Sequence, residues 1–174
     1  MQKMIKSIFL LSIFFLFLNC DSSSQNKNSS NSVVNIKVFS SLTCPHCADF
    51  HGNIYEELEK EYITLGKVKF EHISFPLDLA ALNAEKILQC GKNSRTNFKF
   101  LTEIYKKQNI WAAGTDISTI NNSIKGIGKK FSLTESSMDK CLADKSLEEK
   151  ILNERIEAQK NYKVSSTPTI YVNE

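Results

Sequence analysis

The hydrophobic pattern changes period several times along the chain. Residues 8–18 form an apolar run that only Ser12 interrupts, behind Lys3 and Lys6, and residues 21–32 are wholly Ser, Asn, Gln, Asp and Lys. Residues 33–39 (VVNIKVF) are β-rich, and Phe50, Ile54, Leu58 and Tyr62 then recur at spacing four. This predicts a strand, a turn over residues 40–43, and a helix. Residues 68–75 (VKFEHISF) place Val68 and Phe70 on one face and Ile73 and Phe75 on the other. Apolar residues on both faces predict a covered central strand. The two strands with the intervening helix make a βαβ unit.

Only helical signals run from Asp78 to Tyr162. The first helix takes Asp78 as N-cap and Gly91 as its stop, and further helices are predicted over residues 95–108, 117–126, 135–143 and 147–162. Ile117, Ile120, Ile124 and Ile127 form one stripe, and Ser146 with Glu149 makes a capping box. The chain closes with a strand over residues 169–172 introduced by Pro168. The expected organisation is residues 1–19 as a signal peptide, 20–32 as a lipidated cysteine and tether, 33–77 and 163–174 as a split α/β domain, and 78–162 as inserted helices.

Composition narrows the function classes. With 174 residues, 41% hydrophobic and 24% charged, the chain has material for one domain with a sizeable core. The net charge of +3 includes Lys3 and Lys6, so the remainder is nearly neutral and has no basic stripe; nucleic acid is not expected as a partner. The run at residues 8–18 is shorter than the roughly 20 apolar residues of a membrane-spanning helix, and reads as a secretion signal. It ends on Cys20, an arrangement that resembles bacterial lipoprotein precursors, in which that cysteine carries the lipid. Asp21 resembles an inner-membrane retention signal. Residues 21–32 cannot bury enough apolar surface to offset the entropy of ordering them and are expected to be a flexible tether. The predicted location is the bacterial cell envelope, on the periplasmic side of the inner membrane, or the soluble periplasm if Cys20 carries no lipid.

Cys44, Pro45, His46 and Cys47 form a Cys-x-x-Cys between a strand and a helix, the setting of a redox pair. A thiolate at Cys44 faces the unpaired N–H groups of the helix start, Pro45 in the first turn sacrifices no needed N–H, and His46 can add a donor or a positive charge. The alternative is a metal site using Cys44, His46 and Cys47, which the lack of a second Cys-x-x-Cys disfavours. His51 and His72 are assigned no role. Thr167 and Pro168 precede the last strand, and a proline there is best explained by a cis bond in a tight turn that leaves backbone free to pair with a substrate chain; an ordinary trans proline is the alternative.

The segments SLTCPHCADFH (residues 41–51), FPLD (75–78) and STPTIYVN (166–173) resemble the DsbA-like thiol-disulfide oxidoreductases. That resemblance implies a thioredoxin-like α/β fold with an inserted helical domain, Cys44 as the attacking cysteine, Cys47 as the resolving one, and Thr167 with cis-Pro168 lining the substrate groove. Val38 stands where the family usually has a buried proton-moving glutamate, so that role is unassigned. The chain also ends before the strand and helix that complete such a fold, which are expected to be missing. No cofactor is expected. The implied partners are reduced or unfolded exported polypeptides, a membrane thiol oxidase for reoxidation, and the membrane through lipid on Cys20. Cys90 and Cys141 are expected to form a structural disulfide, in line with the resemblance, two separate buried thiols being the alternative. Disulfide oxidation is the expected activity. Isomerase or reductase action on the same fold, which Thr167 before Pro168 keeps open, is one rival, and a non-enzymatic lipoprotein that binds metal or peptide is the other.

Overall fold

The computed structural model describes residues 32–90 and 94–173. The expected signal peptide, Cys20 and nearly all of the tether lie outside the described residues. Strand β1 (Val34–Ser40) pairs in parallel with β2 (Val68–Ser74), Val34 opposite Val68 through to Ser40 opposite Ser74, and antiparallel with β3 (Thr169–Val172). The order is β2-β1-β3, so β1 is central and β2 is an edge of the described sheet. The central place expected for residues 68–75 therefore belongs to β1. An apolar pattern on both faces records layers above and below a strand, and says nothing of strands beside it.

Alternation along β1 sends neighbours to opposite layers. Val38 joins Phe50, Tyr55 and Phe70 in one cluster, while Phe39 joins Phe75, Ala158 and Val164 in another. Helix α1 (Pro45–Phe50) follows β1 and continues through a wide π-type turn (His51–Tyr55), a short α segment (Glu56–Leu58) and a second π-type turn (Glu59–Ile63). Each wide turn holds more residues than an α turn, so a spacing of four no longer stays on one face. Ile54 and Tyr62 of the expected stripe consequently point outward, 53% and 46% exposed, and His51 and Tyr55 are buried in their place. The chain then reverses through Gly66, whose φ of +70° suits a residue without Cβ.

Between β2 and β3 come α2 (Leu79–Gln89), α3 (Ser94–Lys106), α4 (Gln108–Trp111), α5 (Ile117–Lys129), α6 (Glu135–Ala143) and α7 (Lys145–Asn161). Asp78 caps α2 by accepting from the Ala81 N–H at 2.7 Å. Helix α7 begins ahead of the expected Ser146–Glu149 box, because Asp144 accepts from the Leu147 N–H at 3.0 Å and opens the helix earlier. Gly91 lies outside the described residues, and Cys90 caps the C-terminal end of α2. Ile120, Ile124 and Ile127 of the isoleucine stripe are buried against Ile87, Phe100, Ile104 and Trp111. Two ties hold the layer together. Lys86, 1% exposed, donates to the Leu142 carbonyl at 2.6 Å and to the Glu148 carboxylate at 2.9 Å. A disulfide joins Cys90 at the end of α2 to Cys141 in α6, with Cα atoms 6.1 Å apart.

Candidate active site

The segment from Ser41 to Cys47 is where the sheet, α1 and the helical layer meet, with Leu42, Cys44 and Cys47 all inside the helical cluster. Gln108 anchors it: its side-chain amide donates to the Leu42 carbonyl at 2.8 Å and to the Cys44 carbonyl at 3.0 Å, all within buried surroundings. Gln108→Leu leaves both carbonyls without that donor. It is expected to cost about 1–3 kcal/mol, read from urea unfolding; an unchanged midpoint would show that these bonds are replaceable.

Cys44 is the N-cap residue of α1, with Pro45 at the first helical position. Cys44 and Cys47 are free thiols in this structure, 6% and 1% exposed. The Cys44 thiol donates to the Thr167 carbonyl at 3.4 Å, and the Thr167–Pro168 peptide bond is cis. The loop before β3 thereby faces the start of α1. Their surroundings drive the two thiols apart. Burial pushes Cys44 up, but hydrogen bonds to its sulfur from the Thr167 side chain and from the main-chain N–H groups of Cys47 and His46 outweigh it, leaving Cys44 below the ordinary thiol value. The Thr167 hydroxyl is buried beside the Cys44 sulfur and makes no other hydrogen bond among the described residues. It is available to a thiolate. His46 is exposed, and what it supplies to Cys44 is a main-chain donor. Burial pushes Cys47 up to about 12, with the neighbouring Cys44 adding to the rise.

Two histidines without an assigned role proved to be interior. His51, 3% exposed, lies against Tyr55 and Tyr105 with ring centroids 4.3 and 4.6 Å away, and neither ring nitrogen has a hydrogen-bond partner among the described residues. Its burial follows from the wide turn at His51–Tyr55, which a four-residue period cannot reveal. Burial pushes His51 down to about 3. In the unfolded chain the same ring takes a proton near about 6.5. Between these values the unfolded state binds the extra proton, so stability is whole above about pH 6.5 and is lost as the pH falls, by about 1.4 kcal/mol per unit. From pH 7 to pH 4 the loss is expected to be about 3 kcal/mol, and His51→Phe, which keeps a ring in the stack, should remove that part of the slope. Urea midpoints with the same pH dependence in both proteins would count against it. His72 on β2 contacts the fully buried Glu85 of α2, Nε2 to Oε1 at 2.7 Å, and Ser74 donates to the other Glu85 oxygen at 2.9 Å. No periodicity or motif marked Glu85, which sits among apolar residues of α2.

Comparison with known proteins gives this geometry a family. Residues 29–174 match the family model described as Thioredoxin. A Rickettsia bellii protein named as a protein-disulfide oxidoreductase is 27% identical over 146 residues, covering 84% of this chain and 55% of that protein. The disulfide bond formation protein D of Bacillus subtilis is 26% identical over 150 residues, covering 81% and 64%. The chain thus spans little more than half the length of the rickettsial relative. Among solved structures, Wolbachia pipientis alpha-DsbA1 superposes with a TM-score of 0.73 at 24% identity, over 82% of this chain and 72% of that one. A family match over residues 29–174, a DsbA-type architecture and a Cys-x-x-Cys against a cis-proline loop agree with one another. This chain belongs to the thioredoxin family and carries the DsbA-like form of its fold.

Proposed function

We propose that the protein is a thiol-disulfide oxidoreductase that introduces disulfides into exported polypeptides. The observation that carries the reading is the opposition of the two thiols, Cys44 drawn below the ordinary range beside Thr167 and cis-Pro168, Cys47 pushed up to about 12 behind it. In the oxidised pair, a substrate thiolate attacks the Cys44 sulfur, the Cys44–Cys47 bond breaks, and its electron pair leaves on Cys47. The substrate's second thiolate then attacks the substrate sulfur of the mixed disulfide and releases Cys44 as a thiolate. The two electrons stay on the enzyme dithiol, which a membrane thiol oxidase takes back to the disulfide. A stabilised Cys44 thiolate favours the reduced enzyme and so makes the disulfide a stronger oxidant.

In this reading Cys44 and Cys47 are catalytic, Thr167 and Pro168 hold the substrate backbone, and lipid on Cys20 keeps the enzyme at the periplasmic face of the inner membrane. The test is the equilibrium of the Cys44–Cys47 pair against glutathione, with insulin reduction measured beside it. An oxidising potential with weak insulin reduction supports the oxidase. A strongly reducing pair that reduces insulin fast would reassign the protein as a reductase.

A further inference from the structure

Among the described residues β2 has a strand beside it only on its β1 side, so its other edge offers main-chain N–H and C=O groups for pairing. A cavity of about 450 Å³ follows that edge. It touches five consecutive residues, Phe70 to Ser74. Successive strand side chains point to opposite faces, so one cavity meets all five only along the side away from β1. Helices α2 and α3 wall it on one face with Leu88, Phe98 and Leu101, and α7 walls it on the other with Lys150 and Glu154. The result is an apolar groove about one strand wide.

The polar groups of the groove are short of donors. Ser74 spends its hydroxyl proton on Glu85 at 2.9 Å, and Glu85 holds His72 on its other oxygen at 2.7 Å. Gln89 donates to Ser74 at 3.2 Å, and Lys150 donates to Gln89 at 3.1 Å, reaching Glu154 only at 3.9 Å. Two acceptors are left over. The side-chain oxygen of Asn97 is buried and has no hydrogen-bond partner among the described residues. The Glu154 side chain is 34% exposed, and burial pushes its carboxyl up, with Lys150 drawing it down and Glu85 adding to the rise. A group rich in N–H and positively charged satisfies both, and a guanidinium or an ammonium is such a group.

We propose that the groove along β2 holds an extended, arginine- or lysine-bearing segment of the polypeptide substrate, added to the sheet as a further strand, with its cation at Glu154 and Asn97. The inference deepens the oxidoreductase reading and rests on it, since it gives the substrate of Cys44 a second hold. An unfolded chain suits the groove because it enters as a single strand and brings unpaired main-chain groups of its own. A folded second copy would have to fit an edge strand and the layers behind it between α3 and α7. Ser74, at one end of the groove, stands opposite Ser40, and β1 runs from Ser40 directly into the turn that carries Cys44. A chain held there keeps its own thiols close to Cys44, which raises their effective concentration without a new chemical step.

The test uses the full chain and a labelled, cysteine-free peptide of about eight alternating Val and Arg residues, with binding read by fluorescence anisotropy. The same peptide with Glu in place of Arg, and one N-methylated at alternate residues so that it lacks half its main-chain donors, are each expected to bind at least about tenfold more weakly. Glu154→Gln and Asn97→Leu should each weaken the Val–Arg peptide by about tenfold, while the rate at which Cys44 reacts with oxidised glutathione stays within about twofold of wild type. A two-cysteine substrate peptide extended by the Val–Arg segment should be oxidised with a KM about tenfold lower than the unextended one and an unchanged kcat. No binding, equal binding of the Arg and Glu peptides, indifference to N-methylation, or wild-type affinity in both variants would each overturn the proposal. A chain that binds the Val–Arg peptide as expected and oxidises neither two-cysteine peptide would instead overturn the oxidoreductase reading, so the two failures are distinct.

Discussion

Cys44→Ser is expected to abolish dithiol oxidation, and Cys47→Ser to turn the protein into a trap that accumulates mixed disulfides through Cys44. The contrast follows from the environments of the two sulfurs. Burial holds the Cys47 thiol far above the ordinary range, so at pH 7 it is overwhelmingly protonated and a poor nucleophile. Cys44 sits at the cap of a helix with amide donors and the Thr167 hydroxyl turned to its sulfur, and is ionised in a far larger share of molecules. The ultraviolet absorbance of the thiolate at neutral pH should vanish in Cys44→Ser and persist in Cys47→Ser. Thiolate absorbance that survives loss of Cys44, or trapped partners mapping to Cys47, would reverse the assignment.

Replacing both Cys90 and Cys141 by Ala is expected to remove about 4 kcal/mol of stability. The bridge closes a sequence separation of 51 residues, and a loop of that length carries about this much chain entropy in the unfolded state, an upper-end figure when the reduced chain keeps structure of its own. The active-site pair closes a loop of four residues and gains little in this way. Graded reductant should therefore open Cys44–Cys47 first and Cys90–Cys141 last, which differential alkylation with mass mapping can follow. A double variant with an unfolding midpoint close to wild type would mean that packing around Met138 and Leu88, not the crosslink, holds α2 to α6.

The legible parts of this molecule were those in which a single local rule governs. The helix start at Asp78, the isoleucine stripe of α5, the strand–turn–helix setting of Cys44 and Cys47, and the proline before β3 each follow from residues a few positions apart. The errors came where periodicity or layering breaks. Ile54 and Tyr62 fit the stripe yet lie outside because two wide turns shift the helix face, and apolar residues on both faces of β2 point to a covered central strand although β2 is an edge of the described sheet. Glu85 was illegible for a different reason. A charged residue on an apolar helix face reads as a breach in the pattern, and its partners His72 and Ser74 lie 13 and 11 positions away on another element. Thr167 and Cys44 are 123 positions apart, and only the resemblance to a family put them at one site before the fold did.

Lys86 bears on how the helical layer moves. Its ammonium group is sealed between α2, the Leu142 carbonyl and Glu148 at the start of α7, so lifting α7 even slightly strands a cation in an apolar interior before water can reach it. A half-open seam of that kind is unfavourable, because a buried cation that has lost its partners is worse placed than in either the closed or the fully solvated arrangement. Breathing of this layer is then an all-or-none event, with α2, α6 and α7 released together as one cooperative unit.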